Sequence, residues 1–327
     1  MPKVLVTGGA GYIGSHTVLS LIESGYDVVV YDNLSTGHQE AVLPPARLVV
    51  GDLNDTARLD ELMRRESFSA VIHFAASIVV PESVSDPLKY YRNNTVNTTW
   101  LINACVEHQV SSFIFSSTAA VYGMPETIPV PESTPPAPIN PYGRSKLMSE
   151  WVLRDVSQAC PEFKHVILRY FNVAGADPQG RLGQSTPDAT HLIKVACQTA
   201  LGQREQLSIF GTDYPTQDGT GVRDYIHVAD LAEAHVMALQ HLEANGRSEV
   251  LNCGYGHGYS VRDIVAAVQR ANERPLPVRE TSRRSGDPAE LVSDPARLME
   301  VFDWRPQYDD IDKIVQTAYE WEQNRTY

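Results

Sequence analysis

Six short β-branched runs, each followed by a stretch with helical start signals, constrain this chain more than any other feature. The runs are Lys3–Thr7, Asp27–Tyr31, Arg47–Val50, Ala70–Phe74, Ser112–Ser116 and His165–Arg169. Asp86-Pro87 and Asn140-Pro141 each set a capping side chain before a proline, which needs no N–H partner in a first helical turn. Alternation of this kind selects βαβ units. The expected fold is therefore α/β, a Rossmann-type doubly wound parallel sheet, with ligands beyond the carboxyl ends of its strands.

The regularity fades after residue 173. Gly, Pro and Asp clusters over 174–224 predict long loops and short elements. Val228–Leu242 reads as a helix and Glu249–Asn252 as a strand, and helices start again at Ser260, with Asp263 three residues on, and at Asp294-Pro295. We expect one domain over 1–173, to which 225–252 returns, and a smaller α/β C-terminal domain over 174–327. The prolines crowded between Pro125 and Pro141 predict a stiff loop beside the fifth strand, not a linker.

Charge and cysteine usage narrow the class. Asp+Glu is 40 against Lys+Arg 27, a net charge of -13, and such a surface disfavours nucleic acid and anionic membranes as partners. No apolar run reaches the ~20 residues of a membrane span, and Met1–Gly8 holds too short an apolar stretch for a signal peptide. A cytoplasmic protein is expected. Cys105, Cys160, Cys197 and Cys253 lie far apart with no CxxC pair and read as buried thiols. No metal site is expected.

Thr7-Gly8-Gly9-Ala10-Gly11-Tyr12-Ile13-Gly14 follows the first run and opens a helix. Glycine suits a positive φ and lets backbone approach a pyrophosphate, while the helix start offers N–H groups and a positive dipole. The spacing is G-x-x-G-x-x-G, and alone it is no more than a turn signal. Asp32, ending the second run, strengthens it, because a carboxylate there accepts hydrogen bonds from an adenosine ribose. It also repels a 2′-phosphate, so NAD is favoured over NADP. The competing reading is a solvated strand-end aspartate.

Tyr142-Gly143-Arg144-Ser145-Lys146 sets a phenol and an ammonium at i and i+4 on one helix face. Asn140 as cap and Pro141 as first residue put Tyr142 in the first turn, where the dipole favours an anion. A phenol of pKa ~10 must fall roughly three units, about 4 kcal/mol, to act as a base at neutral pH. A nearby Lys⁺, the helix end and a cationic nicotinamide would jointly provide that. The bland reading is an exposed tyrosine beside a solvated lysine. Ser116-Ser117-Thr118 at the end of the fifth run shifts the balance, since its hydroxyls reach a substrate. Hydroxyl, phenol and ammonium beside a hydride acceptor make oxidoreductase chemistry on an alcohol.

With these residues in hand, the sequence resembles the extended short-chain dehydrogenase/reductase family, and within it the enzymes that invert C4 of UDP-hexoses. The likeness spans the whole chain, most specifically at Val4–His16, Ile72–Ala76, Pro81–Asn94, Ser112–Gly123, Pro141–Leu147, Leu168–Gly175 and above all Gly211–Val228 (GTDYPTQDGTGVRDYIHV). It implies that Tyr142 takes the proton from the sugar 4-OH, that Lys146 lowers the phenol pKa and holds the nicotinamide ribose, and that Thr118 bonds the 4-oxygen. It implies NAD contacts at Gly8, Gly11, Tyr12, Ile13, Gly14, Asp32, Asn33, Leu34, Ser35, Asp52, Leu53, Phe74, Ala75, Ala76, Asn93, Ser116, Tyr142, Lys146, Tyr170 and Phe171. A UDP-sugar, UDP-glucose or UDP-galactose, would meet Thr118, Tyr142, Asn172, His191, Leu192, Phe210, Arg223, Tyr225, Arg284, Asp287 and Leu291.

The arginines also make sense alone, because guanidinium holds a diphosphate with several donors. Against that stand a surface ion pair of Arg223 with Asp224 and an ordinary basic loop at Arg283-Arg284. Thr118 replaces a serine common in the family, Ile78 a lysine towards the cofactor phosphates, and Leu291 a tyrosine beside the sugar 2-substituent. A homodimer is implied, through the helices after Asp86 and Pro141. Ala119 and Ala120, which move no protons, argue against a dehydratase. A net dehydrogenase, an enzyme for N-acetylhexosamine, pentose or uronic-acid nucleotides, and a non-catalytic NAD-binding protein are the other readings. His16 and His73 read as structural.

Overall fold

A computed structural model describes residues 2–187, 189–284 and 286–327. Six strands, β1 (Lys3–Thr7), β2 (Asp27–Asp32), β3 (Arg47–Val50), β4 (Ala70–His73), β5 (Ser112–Ser116) and β6 (Lys164–Tyr170), join Glu249–Cys253 in one sheet. Its order is Glu249–Cys253, β6, β5, β4, β1, β2, β3, and every neighbouring pair is parallel. The winding reverses between β1 and β4, which opens a crevice beyond their carboxyl ends. Predicted and observed strands differ by single residues: Phe74 lies outside β4, and β6 also takes in Lys164 and Tyr170.

Alternate residues of these strands enter separate cores. Val4, Val6, Val28, Val30 and Ile72 pack on one face, and Leu5, Val29, Tyr31, Val71 and Phe113 on the other. A sheet covered on both faces needs apolar residues at every position, which is why its strands read as continuous runs. α1 (Tyr12–Glu23) and the helix Val228–Glu243 pack together on the first face. Leu59 and Met63, Leu101 and Cys105, and Leu153 bring the helices Thr56–Glu66, Asn97–Glu107 and Pro141–Ala159 to the second.

Beyond β6 the strands shrink. Asn172–Ala174 pairs with Tyr225–His227, Leu207–Phe210 with Val278–Thr281, and Val222–Arg223 lies between Tyr259–Ser260 and Glu290–Leu291. Buried carboxylates knot this region. Asp224, fully buried, accepts from Tyr255 N at 2.9 Å, Gly256 N and Ser293 N at 3.1 Å, and Ser293 Oγ at 2.6 Å. Asp230 accepts from the Tyr255 hydroxyl and from the N–H groups of Gln307 and Tyr308.

The expected cap at Ser260 is a full capping box with Asp263. The last predicted start is one residue early: Pro295, expected as the first helical residue, is the cap, and the helix is Ala296–Phe302. Val130, in the proline-rich loop, bonds Val292 O and Asp294 N, so that loop is fastened to the C-terminal half. Cys105, Cys197 and Cys253 are buried, but Cys160 is only half-buried, because it ends the Pro141–Ala159 helix at the surface. Among the described residues no helix is long and apolar enough to cross a membrane.

Candidate active site

Three glycines of the first turn have separate jobs. Gly8 has φ +73°, and a Cβ on it would lie 2.5 Å from Ala75 N. A Cβ on Gly14 would lie 2.2 Å from Gly8 O, so helix and turn close only without one. Gly11 differs. It is the cap residue of α1, no side chain caps the helix there, and its added Cβ would have only Gly8 O nearby, at 3.3 Å. The space over Gly11 and the free N–H groups of α1 thus form a cradle open to an anion. Tyr12 and Ile13 open α1, and the Tyr12 hydroxyl donates to Gly175 O at 2.6 Å.

Asp32 ends β2 buried beside this turn, accepting from Ala10 N at 3.0 Å and Leu34 N at 2.8 Å. It is no solvated strand-end carboxylate. Burial pushes its pKa up, and the two backbone bonds oppose that. Leu34 stands at φ 57°. Asn33 donates to Asp52 Oδ2 at 2.7 Å and accepts from Ser35 N, which gathers the tips of β2 and β3, while Leu53 is core. Phe74, Ala75 and Ala76 follow β4, and the Ala75 N–H bonds Thr7 O. Asn93 donates to Ser77 Oγ at 3.0 Å. Ser116 donates to the Tyr170 hydroxyl at 2.8 Å, and Phe171 is buried against Leu147 and Leu291. All of these lie at the carboxyl end of the sheet.

Tyr142, Thr118 and Lys146 come together there. Asn140 Oδ1 accepts from Gly143 N at 2.9 Å, starting the helix where the sequence predicts. A Cβ at Gly143 would lie 2.6 Å from Ala120 O, so this glycine lets the helix start press on the turn after Thr118. The Thr118 hydroxyl, which accepts from Ala120 N at 3.1 Å, is thereby set beside the Tyr142 phenol. Lys146, buried, sets its Nζ 4.4 Å from the Phe115 ring centroid.

Burial rules the acidities. It pushes the Tyr142 phenol above its ordinary value, against the pull of the neighbouring Thr118 hydroxyl, and pulls Lys146 down to about 7, against the charge of Glu150. The expected depression of Tyr142 is therefore not made by the chain's own groups, because a desolvated phenol and ammonium both drift towards neutrality.

One fastening is invisible in the sequence pattern. Tyr91–Val96 is a π-helical turn, a form common at functional sites. Its Asn94, buried, accepts from Ser77 N at 2.8 Å and donates to Ser77 O and Ser145 Oγ. Thr95 donates to Ser145 O, and Ser149 to Asn94 O. The helix carrying Tyr142 and Lys146 is bolted to that turn. His16 and His73 are structural: His16 Nδ1 bonds Tyr12 O, and His73 bonds Thr7 and Thr98.

Across the crevice, Asn172 and Tyr225 are register partners. With His191 and Leu192 they line one cavity, where Gln184 Nε2 lies 2.8 Å from His191 Nδ1. The Arg284 guanidinium lies 3.7 Å from the Phe210 ring centroid. Arg223 and Leu291 are register partners on adjoining short strands. The competing ion pair of Arg223 with Asp224 is absent: Asp224 spends both oxygens elsewhere, and Arg223 donates to Val222 O. Asp287 stands exposed, and Ile78 is 47% exposed.

A sequence model of the NAD dependent epimerase/dehydratase family matches residues 4–254. A UDP-glucose 4-epimerase of Azospirillum brasilense is 54% identical over 323 residues, which cover 99% of this chain and 92% of that protein. The crystal structure of UDP-glucose 4-epimerase from Brucella ovis in complex with NAD is similar with a TM-score of 0.95 at 48% identity, over 98% of each chain. The UDP-Glc/GlcNAc 4-epimerase from Campylobacter jejuni gives 0.88 at 50% identity, over 99% of this chain and 100% of that one. Sheet order, glycine turn and full-length likeness agree: the chain belongs to the NAD dependent epimerase/dehydratase family.

Proposed function

We propose that this protein is an NAD-dependent isomerase that interconverts UDP-glucose and UDP-galactose by inversion at C4. The observation that carries this is the meeting of Thr118, Tyr142 and Lys146 beside the Gly8–Gly14 cradle, in a chain like UDP-glucose 4-epimerases from end to end. The turn over Gly11 would hold the pyrophosphate, Asp32 the adenosine ribose, and Lys146 the nicotinamide ribose. NAD⁺, when bound, supplies a ring that accepts hydride from C4 and returns it, and a positive charge beside the phenol. Tyr142 takes the 4-hydroxyl proton and gives it back after the 4-keto sugar has turned over. Thr118 holds the 4-oxygen throughout. The charge of Lys146 favours the phenolate. Arg223 and Arg284 are the cations for the diphosphate.

The test is purified protein with UDP-galactose and no added NAD, followed by chromatography for UDP-glucose. Conversion to an equilibrium mixture is the expected result. Absorbance growing at 340 nm only when NAD is supplied would mean net dehydrogenation instead.

The N-acetylated substrate is a second reading, favoured by Leu291 beside the cleft and by the Campylobacter relative. Turnover of UDP-N-acetylgalactosamine against UDP-galactose tests it, and complete inactivity on the former sinks it. We assign cofactor binding to residues 1–173 with 225–252, and the sugar nucleotide to the rest of 174–327. The exposed Val84, Leu88, Trp100 and Trp151, on the helices after Asp86 and Pro141 and their neighbours, suit a homodimer interface. The cytoplasm suits the free thiols.

A further inference from the structure

Behind the proton-transfer site lies a buried ion pair that the reaction scheme does not use. Glu150, one turn beyond Lys146 on the same helix, is 0% exposed, and Arg169 on β6 is 1% exposed. Arg169 grips it with two bonds, Nε to Oε1 at 2.9 Å and Nη2 to Oε2 at 2.5 Å. Ser117, the neighbour of Thr118, donates to Oε1 at 2.6 Å. Arg169 continues to the Tyr122 hydroxyl, which donates to Asn252 Oδ1 at 2.7 Å. Both carboxylate oxygens of Glu150 are thus engaged.

We propose that Glu150, clamped by Arg169 and Ser117, is the positioning residue that keeps Lys146 charged and fixes the end of β5 that carries Thr118. A buried ion pair is a poor stabilising device, since desolvation cancels most of its attraction. Its location gives it another use. Lys146 faces Glu150 from its own helix, Tyr142 from the first turn, the Phe115 ring from β5 and His73 from β4. His73 is neutral, spent on Thr7 and Thr98. Arg154, half-exposed, lies 3.7 Å from Glu150 Oε2 on the side of the next turn. Glu150 is therefore the anion that opposes the loss of the Lys146 proton, and burial has already brought that group to about 7. Rigidity matters here: a carboxylate free to swing would offer its field to solvent, whereas a bidentate guanidinium fixes both oxygens.

This rests on Tyr142 and Lys146 being the proton-transfer pair, so Lys146→Ala serves as control. If that variant turns over normally, the reaction scheme itself fails. With the control inactive, the pH profile of kcat for UDP-galactose is measured in Glu150→Gln. The alkaline limb, where Lys146 loses its proton, moves down by about one pH unit if Glu150 acts by charge. Because an unpaired buried Arg169 is strongly destabilising, the same profile is taken for Glu150→Met with Arg169→Met, which removes both charges and keeps an apolar filling. A purely structural pair predicts that this double variant recovers the native limb. We expect the limb to stay displaced, and Glu150→Asp to keep it near native. A native alkaline limb in Glu150→Gln or in the double variant overturns the proposal.

Discussion

On the proposed cofactor side of the crevice, recognition would rest on backbone: glycines at 8, 11 and 14, a helix start, and one carboxylate at Asp32. On the proposed sugar-nucleotide side it would rest on side chains: Asn172, Arg223 and Tyr225 on strands of two or three residues, His191 at the start of the Leu192–Ala200 helix, and Arg284 in the loop after Val278–Thr281. The first side needs little beyond a regular sheet to hold it. The second is held by buried carboxylates such as Asp224 and Asp230, which replace a long hydrogen-bonded ladder with a few multiply bonded knots. Backbone recognition tolerates little change of φ or of Cβ. Side-chain recognition tolerates exchange of single contacts but depends on its knots.

The strongest challenge to this contrast is aimed where the sides meet. Tyr142→Phe should lower kcat about a thousandfold while bound NAD and the unfolding temperature stay native. Near-normal turnover would remove the phenol from the chemistry. Next in size, Asp224→Asn sets an amide N–H₂ against buried donors and should cost about 3 kcal/mol in urea unfolding. We expect UDP binding to suffer before NAD content does. Equal loss of both would show that the two sides are one cooperative unit and break the comparison.

Gly11→Ala should leave the unfolding of cofactor-free protein unchanged, since its Cβ meets only Gly8 O, yet weaken NAD by about 2 kcal/mol. A destabilised chain with native NAD affinity would reverse the assignment of that space. The smallest effect comes from acid. Burial lowers His73 to about 3 and His16 to about 4, so the unfolded chain takes up protons below pH 6.5 that the folded chain refuses. Stability is then complete above pH 6.5 and falls below it, by about 0.8 kcal/mol per histidine at pH 6. Urea midpoints unchanged from pH 7 to pH 5.5 would contradict it.

The same contrast explains what could be read from the sequence. β1, β3 and β5 carry their predicted ends because each is a short β-branched run closed by turn residues. Tyr142 and Lys146 were legible because the Asn140-Pro141 start fixes their face. The π-turn at Tyr91–Val96 was not, because one extra residue in a helical turn leaves no trace in periodicity. Nor were Glu150 with Arg169, or Lys194 with Glu322, a buried pair at 2.7 Å between residues far apart in the chain. Such pairs arise from topology, and neither partner carries a local signal. Asp224 read as the partner of Arg223 because sequence adjacency hides that successive residues of extended chain point to opposite sides.

The seventh strand of the sheet, Glu249–Cys253, is added only after residues 171–248 have been synthesised. A nascent chain on the ribosome therefore holds β6, with Val166, Ile167 and Leu168, as an uncovered edge for the whole of that interval. Unpaired apolar edges recruit one another. Chains released at residue 248 should accumulate as aggregates, whereas those released after Cys253 has emerged should contain a closed sheet. The late strand makes this protein most vulnerable during its own translation.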